Sequence, residues 1–198
     1  MAISRFSTSR LTLGLPKSQT AWDQDAVQQG AIVPIATQEL NGTVTAFGFG
    51  SIPQIYQDLM IVVSVRNVAN TAAAGWIING NPASVTYGNT TSFGNGATST
   101  SSRGTSMSYG ASLVGSLGSL TSPIPASMIA HFPNYTNSTT KKTFIVRTGS
   151  DLNGSGLIAT EVFSNSYTTA ITDIACSTAN AAAFWAGNVT LYGIKAGA

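Results

Sequence analysis

Residues 51–66 read Ser-Ile-Pro-Gln-Ile-Tyr-Gln-Asp-Leu-Met-Ile-Val-Val-Ser-Val-Arg, and the second half of that stretch decides the class of the fold. From Leu59 the side chains alternate: Leu59, Ile61, Val63 and Val65 point one way, and Met60, Val62, Ser64 and Arg66 the other. A period of two in β-branched residues marks a strand with one wholly apolar face. The second face starts apolar and ends polar, so one end of it is expected to be covered and the other wet. Pro53 has no N–H for a ladder, so the strand proper begins after it. No other run is as long and as apolar, which makes 59–66 the expected central strand. Alone, such a strand invites aggregation, and the rest of the chain must pair with it and cover it.

The composition around this strand is unusual. Charged residues make up 8% of the 198, against an average of about 25%. Ser, Thr, Asn, Gly and Ala replace them, while apolar residues still reach 43%, so the chain has the means to fold. A neutral polar surface offers little like-charge repulsion between copies and suits a protein inside a larger assembly. The net charge of +2 is too weak for a nucleic-acid surface. Lys141-Lys142 is the only adjacent basic pair and reads as a solvated turn. Cys176, the sole cysteine, lies in a strand-like run and is expected to be buried and inert. The N-terminus lacks the apolar stretch of a secretory signal, and no run approaches the ~20 apolar residues of a membrane helix. The expectation is a soluble protein made in a cytoplasm, with no membrane partner.

Residues 1–37 differ in character from the rest of the chain and are read as an extended N-terminal arm, with the folded domain at 38–198. Two helical turns over 21–29 fit Asp23 and Asp25 near their start and Gly30 at their end. Trp22 is a large anchor in polar company. It either folds back on its own domain or docks on a neighbouring subunit.

From residue 38 the pattern is all-β. Strands are expected at 43–49, 59–66, 75–78, 84–87, 127–132, 143–147, 157–163, 169–176 and 188–195, with turn signals at Asn79-Gly80-Asn81-Pro82 and Asp151-Leu-Asn153-Gly154. About eight strands at this spacing suggest an antiparallel sandwich. The exception is 88–122, almost all Gly, Ser, Thr and Asn, with Arg103 its only charge. It reads as a long loop, shortened if 106–114 forms a strand, and either floppy or ordered against a partner.

Chemistry is hard to assemble from these residues. His131 is the only histidine, on an apolar strand, and no Gly-x-Ser-x-Gly elbow accompanies it. A glycosidase needs two carboxylates facing one cleft, and nothing in the spacing of Asp151, Glu161 and Asp173 demands that they meet. Asp151-x-Asn153-Gly154 lacks the remaining ligands of a calcium loop, and no phosphate-cradling Gly-Lys-Ser/Thr sequence is present. No catalytic, cofactor-binding or metal-ligating residues are therefore expected, and the chain is read as a non-enzyme. A glycan hydrolase is the weakest of the function classes considered.

Several phrases occur in a telling order: Ser51-Ile-Pro-Gln-Ile-Tyr-Gln-Asp-Leu, Ile78-Asn-Gly-Asn, Phe132-Pro-Asn-Tyr-Thr-Asn followed by Lys142-Thr, and Leu191-Tyr-Gly-Ile-Lys. In that order they resemble a β-sandwich module of virion proteins of tailed bacteriophages, over roughly residues 43–195. Phe163, and Gly187-Asn188 in place of a Gly-Ser, are departures that leave the fold intact. The resemblance implies a jelly-roll-like antiparallel β-sandwich, a place on the virion, and no catalytic residues. The expected role is a capsid decoration or cement protein on the capsid surface, binding the major capsid protein at capsomer junctions as a homotrimer. The absence of coiled-coil heptads and shaft repeats favours this over a fibre. The alternative is a tail-fibre or receptor-binding module that recognises host surface glycan, with Tyr87, Tyr109, Tyr135 and Tyr167 as candidates for sugar stacking.

Overall fold

The computed structural model describes residues 31–67, 73–80, 85–113, 124–151, 156–178 and 185–195. The expected helix at 21–29 lies outside them. Twelve strands succeed one another: β1 (Ile32–Val44), β2 (Ala46–Phe49), β3 (Asp58–Asn67), β4 (Ala73–Ile78), β5 (Tyr87–Gly94), β6 (Ser99–Met107), β7 (Gly110–Leu113), β8 (Ala126–Phe132), β9 (Thr143–Ser150), β10 (Leu157–Asn165), β11 (Ile174–Thr178) and β12 (Trp185–Ile194). They form two antiparallel sheets, ordered β1-β12-β3-β8-β9-β10-β5-β6 and β2-β11-β4-β7.

The pairings nest. β1 pairs with β12, β2 with β11, β3 with β8 and β4 with β7, as if one long hairpin were wrapped across the two sheets. The pairs β5-β6 and β9-β10 widen the larger sheet. β3 sits in its interior between β12 and β8, as its apolar run requires. Leu59, Ile61, Val63 and Val65 are all buried. On the other face Met60 and Val62 are half-buried and Ser64 is exposed.

The core lies between the sheets and is aromatic at its centre. Phe144 stacks on Phe132 and on Phe163 with ring centroids 4.9 and 4.8 Å apart. Trp76 of the smaller sheet meets Phe132 and Phe144 edge-on at 6.0 and 6.4 Å. Phe47 meets Trp185 edge-on at 5.8 Å. Edge-to-face and offset arrangements set the negative ring faces against positive edges. Gly110, at the start of β7, is buried among these rings: a Cβ would approach Phe144, Phe163 and Trp76 at 3.2–3.3 Å.

Several expectations change. The apolar face of β3 is expected from the sequence to face Phe144, Val146, Val189 and Leu191, and these residues do not lie across the core from it. They lie on the same inner face of the same sheet, with Leu191 beside Ile61 and Val189 beside Val63. The sequence 88–113 is no loop: β5, β6 and β7 occupy most of it. The expected strand at 43–49 is broken at Thr45, where the chain passes from one sheet to the other. The strand expected from 169 begins only at Ile174. The boundary drawn at 37/38 falls inside β1.

Candidate functional site

The phrases quoted for the resemblance come together at one end of the sandwich. Ser51 and Asn134 take left-handed backbone conformations, φ 53° and 48°, which turn the chain sharply before β3 and after β8. The Tyr135 hydroxyl donates to the Pro53 carbonyl and accepts the N–H of Tyr56 at 3.4 Å. Gln54 Nε2 donates to the carbonyls of Ile52 and Ile171, both at 2.9 Å. Asn79 Oδ1 accepts the N–H groups of Thr172 and Asp173 at 2.8 and 3.1 Å, and its Nδ2 donates to Ala170 O at 2.8 Å. These bonds fasten the segments 50–57, 133–142 and 165–173 to one another. They satisfy backbone groups that would otherwise be costly to bury. Their work is structural.

Lys142 belongs to the same network and is no solvated turn. Only 3% of it is exposed. Its ammonium donates to the carbonyls of Asn137 and Thr168, the latter at 3.3 Å. Burial lowers its pKa below the usual lysine value, since the charged form loses hydration. Lys141 beside it is exposed.

Among the described residues the titratable groups do not converge on a reaction centre. His131 Nε2 lies 3.1 Å from Asp58 Oδ2 on the outer face of the larger sheet, and Asp58 Oδ1 accepts the Asn134 N–H at 2.8 Å. Glu161 is wholly buried on the inner face of β10, where it accepts the Thr91 hydroxyl at 3.1 Å. A polysaccharide has no access to it. Asp173 is exposed just before β11 of the smaller sheet, and Asp151 is exposed at the end of β9 of the larger one. Among the described residues no group of three His, Cys, Asp or Glu side chains could hold a metal. No described helix is long and apolar enough to cross a membrane. Cys176 is buried, and desolvation raises its thiol pKa.

Of the four tyrosines considered for sugar stacking, Tyr87 and Tyr135 are core residues. The Tyr87 hydroxyl accepts the Ile78 N–H at 3.0 Å, and burial raises both phenol pKa values. Tyr167 is half-buried and Tyr109 is exposed. An open groove of about 540 Å³ on the outer face is lined by Gly94, Ser127, Gly149, Asp151 and Ile158 among others. Sequence reading missed this groove because only the register sets Gly94 and Gly149 on either side of Ile158.

No family model matches the chain, and no curated protein or solved structure matches it either.

Proposed function

We propose that the chain is a virion structural protein on a jelly-roll-like sandwich with an N-terminal arm, and that it decorates or cements a capsid at the junctions between capsomers. The nesting of the strand pairs carries this reading. With β5-β6 and β9-β10 set aside as insertions, eight strands remain in two four-stranded groups, β1-β12-β3-β8 and β2-β11-β4-β7. That arrangement fits the double Greek key of jelly rolls, an architecture of viral capsid and lectin domains. The low charge supports an assembly role, because neighbouring subunits approach with little electrostatic penalty. The proposed form is a homotrimer on the capsid surface, in contact with the major capsid protein.

A tail-fibre or receptor-binding module is the second reading. It draws support from the lectin use of the same architecture and from the groove beside Ile158. It ranks second because two of its four candidate tyrosines are in the core. The test is the copy number of the chain in purified particles, measured by quantitative mass spectrometry against the major capsid protein. Hundreds of copies per particle are expected. A handful would move the chain to the tail, and absence from particles would overturn both readings.

A further inference from the structure

The outer face of the larger sheet has a polar half and a half that carries rows of apolar side chains. Over β5 and β6 it is polar: Thr90 and Ser92 stand beside Arg103 and Ser101. Over β12, β3, β8, β9 and β10 it is mixed: apolar side chains gather in two adjacent rows, with Asp58, His131 and Arg147 among them. The register sets Tyr192, Met60, His131, Ile145 and Val162 in one cross-strand row. The next row runs Thr190, Val62, Ile129, Arg147 and Thr160, with Val62 and Ile129 as its apolar pair. Ile129, Val162 and Ile158 are 45, 43 and 69% exposed. The outer face of an antiparallel sheet bathed in water is ordinarily polar, and a contiguous apolar patch marks a surface that something covers.

This track begins where the described chain begins. Ile32, 52% exposed, lies opposite Ile194, and Ile194 lies opposite Asp58 at the end of the same face. Lys195 N donates to Ala31 O at 2.9 Å, which fixes the chain at that corner. Thirty residues precede Ala31. They include Phe6, Leu11, Leu13, Leu15, Trp22 and Val27, and the three leucines alternate with Thr12 and Gly14. From β1 to β10 is five strand spacings, about 24 Å, whereas thirty residues extend to about 100 Å. The segment has the reach, the apolar side chains and the starting point that the track requires.

We propose that this apolar track is the docking surface for residues 1–30 of the same chain. The inference does not rest on the virion reading, and its test needs no particle. A photoreactive benzoylphenylalanine is placed in the full-length chain at Ile129, and in separate variants at Val162 and at Ser101 on the polar half. The protein is irradiated as an equal mixture of nitrogen-15-labelled and unlabelled chains, and the adducts are sequenced by mass spectrometry. The expected result is adducts from positions 129 and 162 to peptides of residues 1–30, with both halves carrying the same label, and none from position 101. Mixed-label adducts to 1–30 would overturn the proposal in favour of a neighbour's segment. Mixed-label adducts within 31–195 would overturn it in favour of a face shared by two copies. Adducts confined to 31–195 of one chain, or none, would overturn it in favour of a bare face.

Discussion

Asp58 is bound at both oxygens: Oδ2 lies 3.1 Å from His131 Nε2, and Oδ1 accepts the Asn134 N–H at 2.8 Å. One carboxylate at the start of β3 thus holds both β8 and the left-handed residue just beyond it. Replacing Asp58 by Ala should cost about 1–2 kcal/mol, the typical loss when partly buried groups lose an acceptor. Asn at this position keeps an oxygen for the Asn134 N–H and should recover part of the loss. Urea denaturation of the two variants checks this, and equal stability of D58A and wild type would remove the pair from the account.

Alternation along β3 gives a contrast between adjacent positions. Ile61 is fully buried, and its truncation to Ala should cost about 2–5 kcal/mol through lost burial and the cavity left behind. Val62 is half-buried on the outer face. Val62→Ala should cost clearly less than Ile61→Ala in the same denaturation series.

Gly187 has φ +135°, and a Cβ there would collide with the Ser64 carbonyl and stand 2.9 Å from Val65 Cα. Both the conformation and the space exclude a side chain. Gly187→Ala should destabilise by about 2 kcal/mol or more, read as a fall in melting temperature. Gly80→Ala, with a positive φ but nothing within 4 Å, should cost less.

Lys142 offers a pH test. Its folded-state pKa is lowered by desolvation, so the native protein releases this proton before the unfolded chain does. The burial penalty is therefore fully present below the folded pKa and is relieved as pH rises from there towards 10.5. Lys142→Met removes the titration and leaves the Asn137 and Thr168 carbonyls without their donor. The variant should be less stable than wild type, and the gap should widen as pH is raised from neutral towards 10.5. A gap that narrows would mean that the ammonium is favoured by its site.

Cys176 is buried, and its thiol is held in the protonated form. It should react with a thiol reagent only on unfolding, so that labelling tracks the denaturation curve. Rapid labelling of the native protein would show that the smaller sheet opens at β11.

The strands most legible from the sequence were those with one apolar face, such as β3, β8 and β10, because burial of one face imposes a period of two. β6, Ser-Thr-Ser-Ser-Arg-Gly-Thr-Ser-Met, was not legible. It is an edge strand, almost wholly exposed, and a ladder made by backbone groups imposes no pattern on Ser and Thr. Lys142 misled because its acceptors are backbone carbonyls, one of them 26 positions away, and a carbonyl leaves no mark on residue identity.

By itself the sequence determined that the chain is all-β over its described part, that one face of β3 is core, and that Cys176 is buried; the turn read at 151–154 lies largely outside the described residues. These properties come from local chemistry: alternation and β-branching act between near neighbours. Only the tertiary structure decided that β1 closes on β12, that two hairpins widen one sheet, that Tyr87 and Tyr135 face inward, and that Ile129 and Val162 reach the surface on the same face as Ile32. Backbone hydrogen bonding is the same for every residue but proline, so strand partners are chosen by which long-range pairing buries the most apolar surface, a property of the whole chain.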